Sequence, residues 1–309
     1  MKEFKLMAQQ KRYLEEMGYN VIGIGLYGSQ NYNMSYEKSD IDLRAVVMPT
    51  LEQIITRAKI SKKYITEYGD IDVKDLLTYY EVVRKGNFSF IEPFQSKWYI
   101  GDKYLKELFG NIELNLKSVK GAMLERAKAF RHKYPSKEYE TNKWGYDPKQ
   151  LHHIIRLLDL LKLNDSSKSY IYYKDDDIMK KHLMAIKRNT GNCIDSLTYI
   201  DITSFETLKK YINGQIFEYE LIPSDYKYEQ VDLSKEITKY IKDNIKLDIK
   251  NTPTMSARQY RTFGQQIPKK DVQRFPELKQ YQGQDISYIV YEELEILWVN
   301  AVIQDYATN

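Results

Sequence analysis

The sequence predicts an α+β protein, with a sheet-bearing domain over residues 1–110 and a helical domain over residues 111–309. Three observations lead there. Short apolar or alternating runs crowd the stretch before residue 75, with turn residues between them. From Tyr104 onward the apolar residues recur at helical spacing instead. A chain of 309 residues also has room for one large or two ordinary domains.

Taken in order, residues 2–17 read as an imperfect amphipathic helix, with Phe4, Leu6, Met7, Tyr13, Leu14 and Met17 among charges and Gly18 as its stop. Residues 21–27 are a buried strand that ends abruptly at Gly28-Ser29, and a second strand over 42–48 follows Asp40-Ile41-Asp42. Thr50 caps a short helix over 51–57. Residues 62–68 and 70–74 alternate as strands, Ile71 and Val73 facing one way and Asp70, Asp72 and Lys74 the other. Asp75 then caps a helix running to Lys85, closed by Gly86, and Asn87 caps the next over 88–94. Residues 111–133 read as one long helix before a polar loop with Pro135. Asp147 and Pro148 open another. Residues 165–205 are charged and irregular, and Asp175-Asp176-Asp177 fits a helix N-terminus or an exposed loop better than a metal site. Residues 251–264 form a loop or arm. Residues 285–306 read as an amphipathic helix that either closes the helical domain or forms a dimer contact.

The chemistry concentrates between residues 21 and 47, VIGIGLYGSQNYNMSYEKSDIDLRAVV. In an extended chain residues two apart share a face, so Asp40 and Asp42 project together while Ile41 and Leu43 pack behind. Paired carboxylates are costly to keep ionised without a counter-charge. The usual one is a hard divalent cation such as Mg²⁺, which leaves coordination sites for phosphates. Gly28 permits close approach of the backbone, and the N–H groups after it suit a phosphate. A phosphate cradle beside paired carboxylates points to phosphoryl or nucleotidyl transfer. Lys149, His153 and Arg156, spaced i, i+4, i+7, share a helix face; they either reach phosphates or form a solvated cationic face.

Composition is globular, with 42% hydrophobic and 29% charged residues. The net charge of +4 does not identify a nucleic-acid binder. Residues 117–156, however, hold ten Lys or Arg against four Asp or Glu, which suits a phosphate-rich substrate. The single cysteine, Cys193, excludes an intramolecular disulfide and a cysteine-based zinc site. The charged N-terminus lacks the apolar core of a signal peptide, and no apolar run approaches the ~20 residues that span a bilayer. A soluble, cytoplasmic protein is expected. Its 28 tyrosines, with abundant Lys, Ile and Asn, suggest a low-GC bacterium or a phage.

The 21–47 stretch resembles the DNA polymerase β-like nucleotidyltransferase superfamily, whose signature of an apolar strand, Gly-Ser and Asp-x-Asp is matched by Gly28, Ser29, Asp40 and Asp42. The run KWGYDPKQLHHIIRLLDLL is similar to a second signature, that of the RNA-repair-associated members (the RlaP or YcgL type), through Tyr146, Asp147, Lys149, His153, Arg156, Leu157 and Leu158. DVKDLLTYYEVVRKGNFSFIEPF resembles their post-catalytic segment, including Gly86, Asn87 and Glu92, and KKYINGQIFEYE is a weaker echo. The likeness covers roughly residues 20–245. Gln30 stands where an arginine is common.

The resemblance implies a small mixed sheet carrying a nucleotidyltransferase site, then a helical substrate-binding domain. It implies transfer of a nucleoside monophosphate from an NTP, with two Mg²⁺ ions, to a hydroxyl of an RNA 3′ end such as that of a damaged tRNA. Asp40 and Asp42 would be the metal ligands, and a third carboxylate would come from a neighbouring strand. Asp72 is the choice there, mid-strand between apolar neighbours, with Asp70 next on the same face and Asp75 accounted for as a cap. Gly28, Ser29, Lys149, His153 and Arg156 would bind the nucleotide. Two other functions fit the same residues: a nucleotidyltransferase acting on a small molecule or protein, and a non-catalytic nucleotide- or host-factor-binding phage protein.

Overall fold

The computed structural model describes residues 2–37, 39–66, 69–130, 132, 146–188 and 204–245. It is α+β: a five-stranded mixed sheet and ten helices among the described residues. The elements are α1 (Lys2–Glu16), β1 (Val21–Tyr27), β2 (Asp42–Val47), α2 (Leu51–Thr56), β3 (Ser61–Thr66), β4 (Gly69–Asp75), α3 (Leu76–Val83), α4 (Phe88–Gln95), β5 (Tyr99–Gly101), α5 (Lys103–Gly110), α6 (Leu116–Ala129), α7 (Pro148–Lys162), α8 (Ile178–Arg188), α9 (Phe205–Glu218) and α10 (Ser234–Asn244). The chain divides into two compact units. One comprises Met1–Val46, Lys62–Val73 and Tyr79–Val231; the other comprises Val47–Ser61, Lys74–Thr78 and Asp232–Asn309.

The sheet order is β3-β4-β2-β1-β5. β1 is continuously apolar because both its faces are covered: Val21 to Leu26 are all buried. β5 pairs with it antiparallel, Ile24 opposite Ile100. Gly25 lets α4 press onto β1, since a Cβ there would stand 2.6 Å from the Pro93 carbonyl oxygen. Tyr79, Phe94 and Phe109 pack as an aromatic cluster with ring centroids 5.0–5.9 Å apart, and Met7 and Leu14 of α1 are fully buried.

In the second unit, Thr50 and Gln53 close α2 with a reciprocal capping box. Asp75 accepts from the Thr78 N–H at 2.8 Å and also from the Ile60 N–H at 2.8 Å, so the expected cap also ties β3 to β4.

The helical reading of residues 111–133 needs correction at its start. α6 begins at Leu116 because the Asn115 side chain accepts from the Lys117 and Ser118 N–H groups. Upstream, the Leu114 N–H bonds to the Ser166 carbonyl at 2.7 Å and is diverted from any helix. Phe130 stacks on Tyr146, ring centroids 4.8 Å apart, where the chain enters α7. α7 packs against both α6 and α8, with Ile154, Leu157, Leu158 and Leu161 buried as the periodicity requires. α8 corrects the irregular reading of residues 165–205; Asp177 accepts from the Met179 N–H at its start.

No helix among the described residues is long and apolar enough to cross a membrane. Cys193, the Pro135 loop, the 251–264 arm and the 285–306 helix lie outside the described residues, as do residues 131 and 133–145 of the basic segment.

Candidate nucleotide and metal site

The site grows from the end of β1. Gly28 takes φ +95°, a left-handed conformation that glycine adopts without strain, and the chain leaves the sheet there. No helix follows. Residues 28–34 instead form successive turns: Asn31 N–H to Gly28 O at 3.0 Å, Asn33 N–H to Gln30 O at 3.2 Å and Met34 N–H to Ser29 O at 2.8 Å. Gln30 spans the loop and donates to the Asp40 carbonyl at 2.7 Å, which ties the turn to the carboxylate segment.

The turn is built on a buried carboxylate. Glu92 of α4, 1% exposed, accepts from the Gly28 N–H (2.7 Å), Asn31 Nδ2 (3.0 Å) and the Tyr32 hydroxyl (2.6 Å). Asn31 in turn donates to Leu26 O and accepts from Ser96 Oγ. Burial pushes the Glu92 carboxyl above its usual range, and Arg156 leads the groups that oppose this. The Gly28 N–H is therefore occupied and does not face a ligand. The Ser29 and Gln30 N–H groups have no hydrogen-bond partner among the described residues.

The carboxylates gather beside this turn. Asp40 is exposed and precedes the strand; Asp42 is the first residue of β2 and half-buried. A Cβ on Gly28 would stand 3.7 Å from Asp42 Oδ2, so the glycine keeps the space over that carboxylate open. Burial raises the Asp42 carboxyl, Lys149 opposes the rise, and Asp70 and Asp40 add to it. Asp42 also accepts a hydrogen bond from the Asp70 backbone N–H. Asp70 contacts Lys63 at 2.5 Å.

Asp72 has a different neighbour. Arg44 Nε lies 3.5 Å from Asp72 Oδ2, and the Arg44 guanidinium is held between the Tyr27 and Phe90 rings, 4.1 and 3.9 Å from their centroids. With Asp70 beside Asp42 and Asp72 beside Arg44, β2 and β4 advance together. Of Asp70 and Asp72, it is Asp70 whose charge is among the leading ones on Asp42.

The predicted basic row does not lie uniformly on the surface of α7. Lys149 is exposed and its charge reaches Asp42. His153 is half-buried, and burial, then Arg156, hold its pKa well below the usual value. Arg156 is 4% exposed and lies over the Tyr32 ring at 4.0 Å; its Nε and Nη1 are buried without a hydrogen-bond partner. The solvated-face alternative fails for Arg156. His152 is buried, its Nδ1 3.0 Å from Leu183 O, and burial followed by Arg156 lowers its pKa to about 3.

No protein-family model matches this chain, and the search of curated proteins found no match.

Among the described residues no three His, Cys, Asp or Glu side chains converge as a ready-made metal cage. Asp40, Asp42 and Asp70 nonetheless supply hard oxygens, Asp70 beside Lys63 and Asp42 under the charge of Lys149, and Mg²⁺ is commonly held by one or two carboxylates with phosphates and waters completing its shell. The sequence marks Glu92 only within the family likeness, without a role, and does not mark Arg44. Glu92 has a visible signal, as the one charge in the largely apolar α4 sequence FSFIEPFQ.

Proposed function

We propose that the chain is a polymerase β-like nucleotidyltransferase, moving a nucleoside monophosphate from an NTP to a hydroxyl of an RNA end and releasing pyrophosphate. The observation that carries this is the crowding of Asp42 by Asp40 and Asp70 next to the open space at Gly28. Carboxylates that act on one another beside a glycine turn have little use in a simple binding protein, since each raises the cost of ionising the others. The mixed sheet suits this family, and residues 111–309 would serve as its helical substrate-binding part.

Asp40, Asp42 and Asp70 would hold the Mg²⁺ ions. Bound there, Mg²⁺ would offset phosphate charge and acidify the attacking hydroxyl. The Ser29 and Gln30 N–H groups would bind phosphate oxygens, replacing Gly28 in the role first expected of it. Lys149 would add positive charge from α7. Arg156 acts one layer down: with Glu92 it fixes Tyr32 and so the shape of the turn. Asp72 keeps Arg44 in place between its two rings instead of joining the metal site.

The test is incubation with each α-labelled NTP, Mg²⁺ and, separately, cellular RNA, protein and small-molecule fractions. Label in RNA supports the proposal. Label in protein or a small molecule would move the acceptor to that class, and no label from any NTP would leave a binding protein.

A further inference from the structure

α8 brings cations to the site from an element that periodicity in the sequence does not mark. Its apolar side packs Leu183 into a buried cluster with Tyr32, Met34 and Tyr173, flanked by Met179 and Met184. This seats the last turn of α8 against the loop that leads to Asp40. Lys187 Nζ donates to the Met34 carbonyl at 2.8 Å and reaches Ser39 Oγ at 3.4 Å. Lys187 and Arg188 lie 5.2 and 5.5 Å from the Tyr36 ring centroid.

Cations in a last turn commonly complement the helix dipole. Lys187 does more, because its ammonium bonds to the 34–39 loop and not to the carbonyls of its own helix. The charges that act on it most are Lys149, Arg188 and Arg156, against one carboxylate, Asp40. Burial and those three cations lower its pKa to about 8. Arg156 is buried nearby with two N–H groups unpartnered. Lys187, Arg188 and Arg156 thus line residues 32–39, and Lys149 adds its charge to theirs.

We propose that Lys187 and Arg188, with Lys149, form an anion-binding wall that holds the polyphosphate chain of the nucleotide against the Ser29 and Gln30 N–H groups. The polyphosphate identity rests on the nucleotidyltransferase proposal; the anion site does not. A linear polyphosphate fits better than a single phosphate, because the cations come from two helices and the N–H donors from a third segment. Lys149 and Arg188 are exposed, which leaves the wall open to a ligand.

The probe is inorganic tripolyphosphate without Mg²⁺ or nucleotide, titrated calorimetrically into the full chain. Lys187→Met should weaken binding about tenfold or more, the loss of one charge-assisted hydrogen bond, and Lys187→Arg should recover most of it. Arg188→Ala, at an exposed position, should weaken binding as well and serves if Lys187→Met fails to fold. Folded variants that bind tripolyphosphate as the unaltered chain does would overturn the proposal, even if nucleotidyl transfer is observed. Weakened binding without nucleotidyl transfer from any NTP would keep the anion site and remove the enzymatic function.

Discussion

Replacing Glu92 separates its two roles, hydrogen-bond acceptor and buried charge. In Glu92→Ala the Gly28 N–H and the Tyr32 hydroxyl lose their acceptor, while Asn31 Nδ2 keeps its bond to Leu26 O. An orphaned buried donor at Tyr32 and a half-buried one at Gly28 cost about 1–3 kcal/mol each, and the vacated volume adds roughly 1 kcal/mol. A loss of about 3–7 kcal/mol is expected, enough to unfold a marginal domain. Glu92→Gln keeps an acceptor for Gly28, and the Tyr32 hydroxyl can turn to accept from the amide. It also removes a charge whose folded pKa is raised by burial. A carboxyl with a raised folded pKa contributes its stability below the unfolded value, about 4.3, and loses it as pH rises through the folded value. The unaltered chain should therefore lose stability relative to Glu92→Gln as pH climbs from about 4.3 toward neutrality. Urea denaturation of all three proteins at several pH values provides the check. If Glu92→Ala costs under 1 kcal/mol, or Glu92→Gln is as damaging as Glu92→Ala, then Glu92 does not organise the turn.

Asp70→Asn should reduce nucleotidyl transfer by a hundredfold or more, on the order of losing one catalytic electrostatic group, with little change in melting temperature. Asp72→Asn should do the reverse, costing about 1–3 kcal/mol as Arg44 loses its partner while turnover persists; the opposite pattern in kinetics and melting curves would return the third-carboxylate role to Asp72. Arg156→Ala should lower stability by about 2–4 kcal/mol, because it uncovers Tyr32 and leaves Glu92 as a buried charge with less compensation; a loss of only a few tenths in thermal melts would mean a solvated role. Arg156→Lys should recover only part, since an ammonium lacks the planar face that covers the ring.

Much of the backbone is legible in the amino-acid sequence. Thr50, Asn87 and Asp147 sit at the N-caps expected of them because short polar side chains bond locally to N–H groups within three residues. The Gly28 turn, with Asp42 beside it, is visible for the same reason, since a glycine at a strand end and a carboxylate opening the next strand are read locally. Residues set by distant partners are harder to find. Asp70 and Asp72 share a strand face, and only the strand alongside, with Asp42 and Arg44, tells them apart. Arg156 and Lys149 share a helical spacing, yet burial by Tyr32 makes one structural while the other stays exposed. α8 escapes notice because its short apolar stripe is interrupted by Lys180, Lys181 and His182, and its docking surface is a loop about 150 residues upstream.

The most direct test of nucleotidyl transfer compares α-labelled and γ-labelled NTP, with Mg²⁺ and an RNA acceptor, in the unaltered chain and in Asp42→Asn. Because the Asp42 carboxyl is already raised by burial, its neutralisation should leave folding intact. The proposal predicts α-label in RNA, γ-label in released pyrophosphate, and a loss of at least ~10³-fold in Asp42→Asn. Transfer of the γ-label to the acceptor, or undiminished α-label transfer by a folded Asp42→Asn protein, would contradict it.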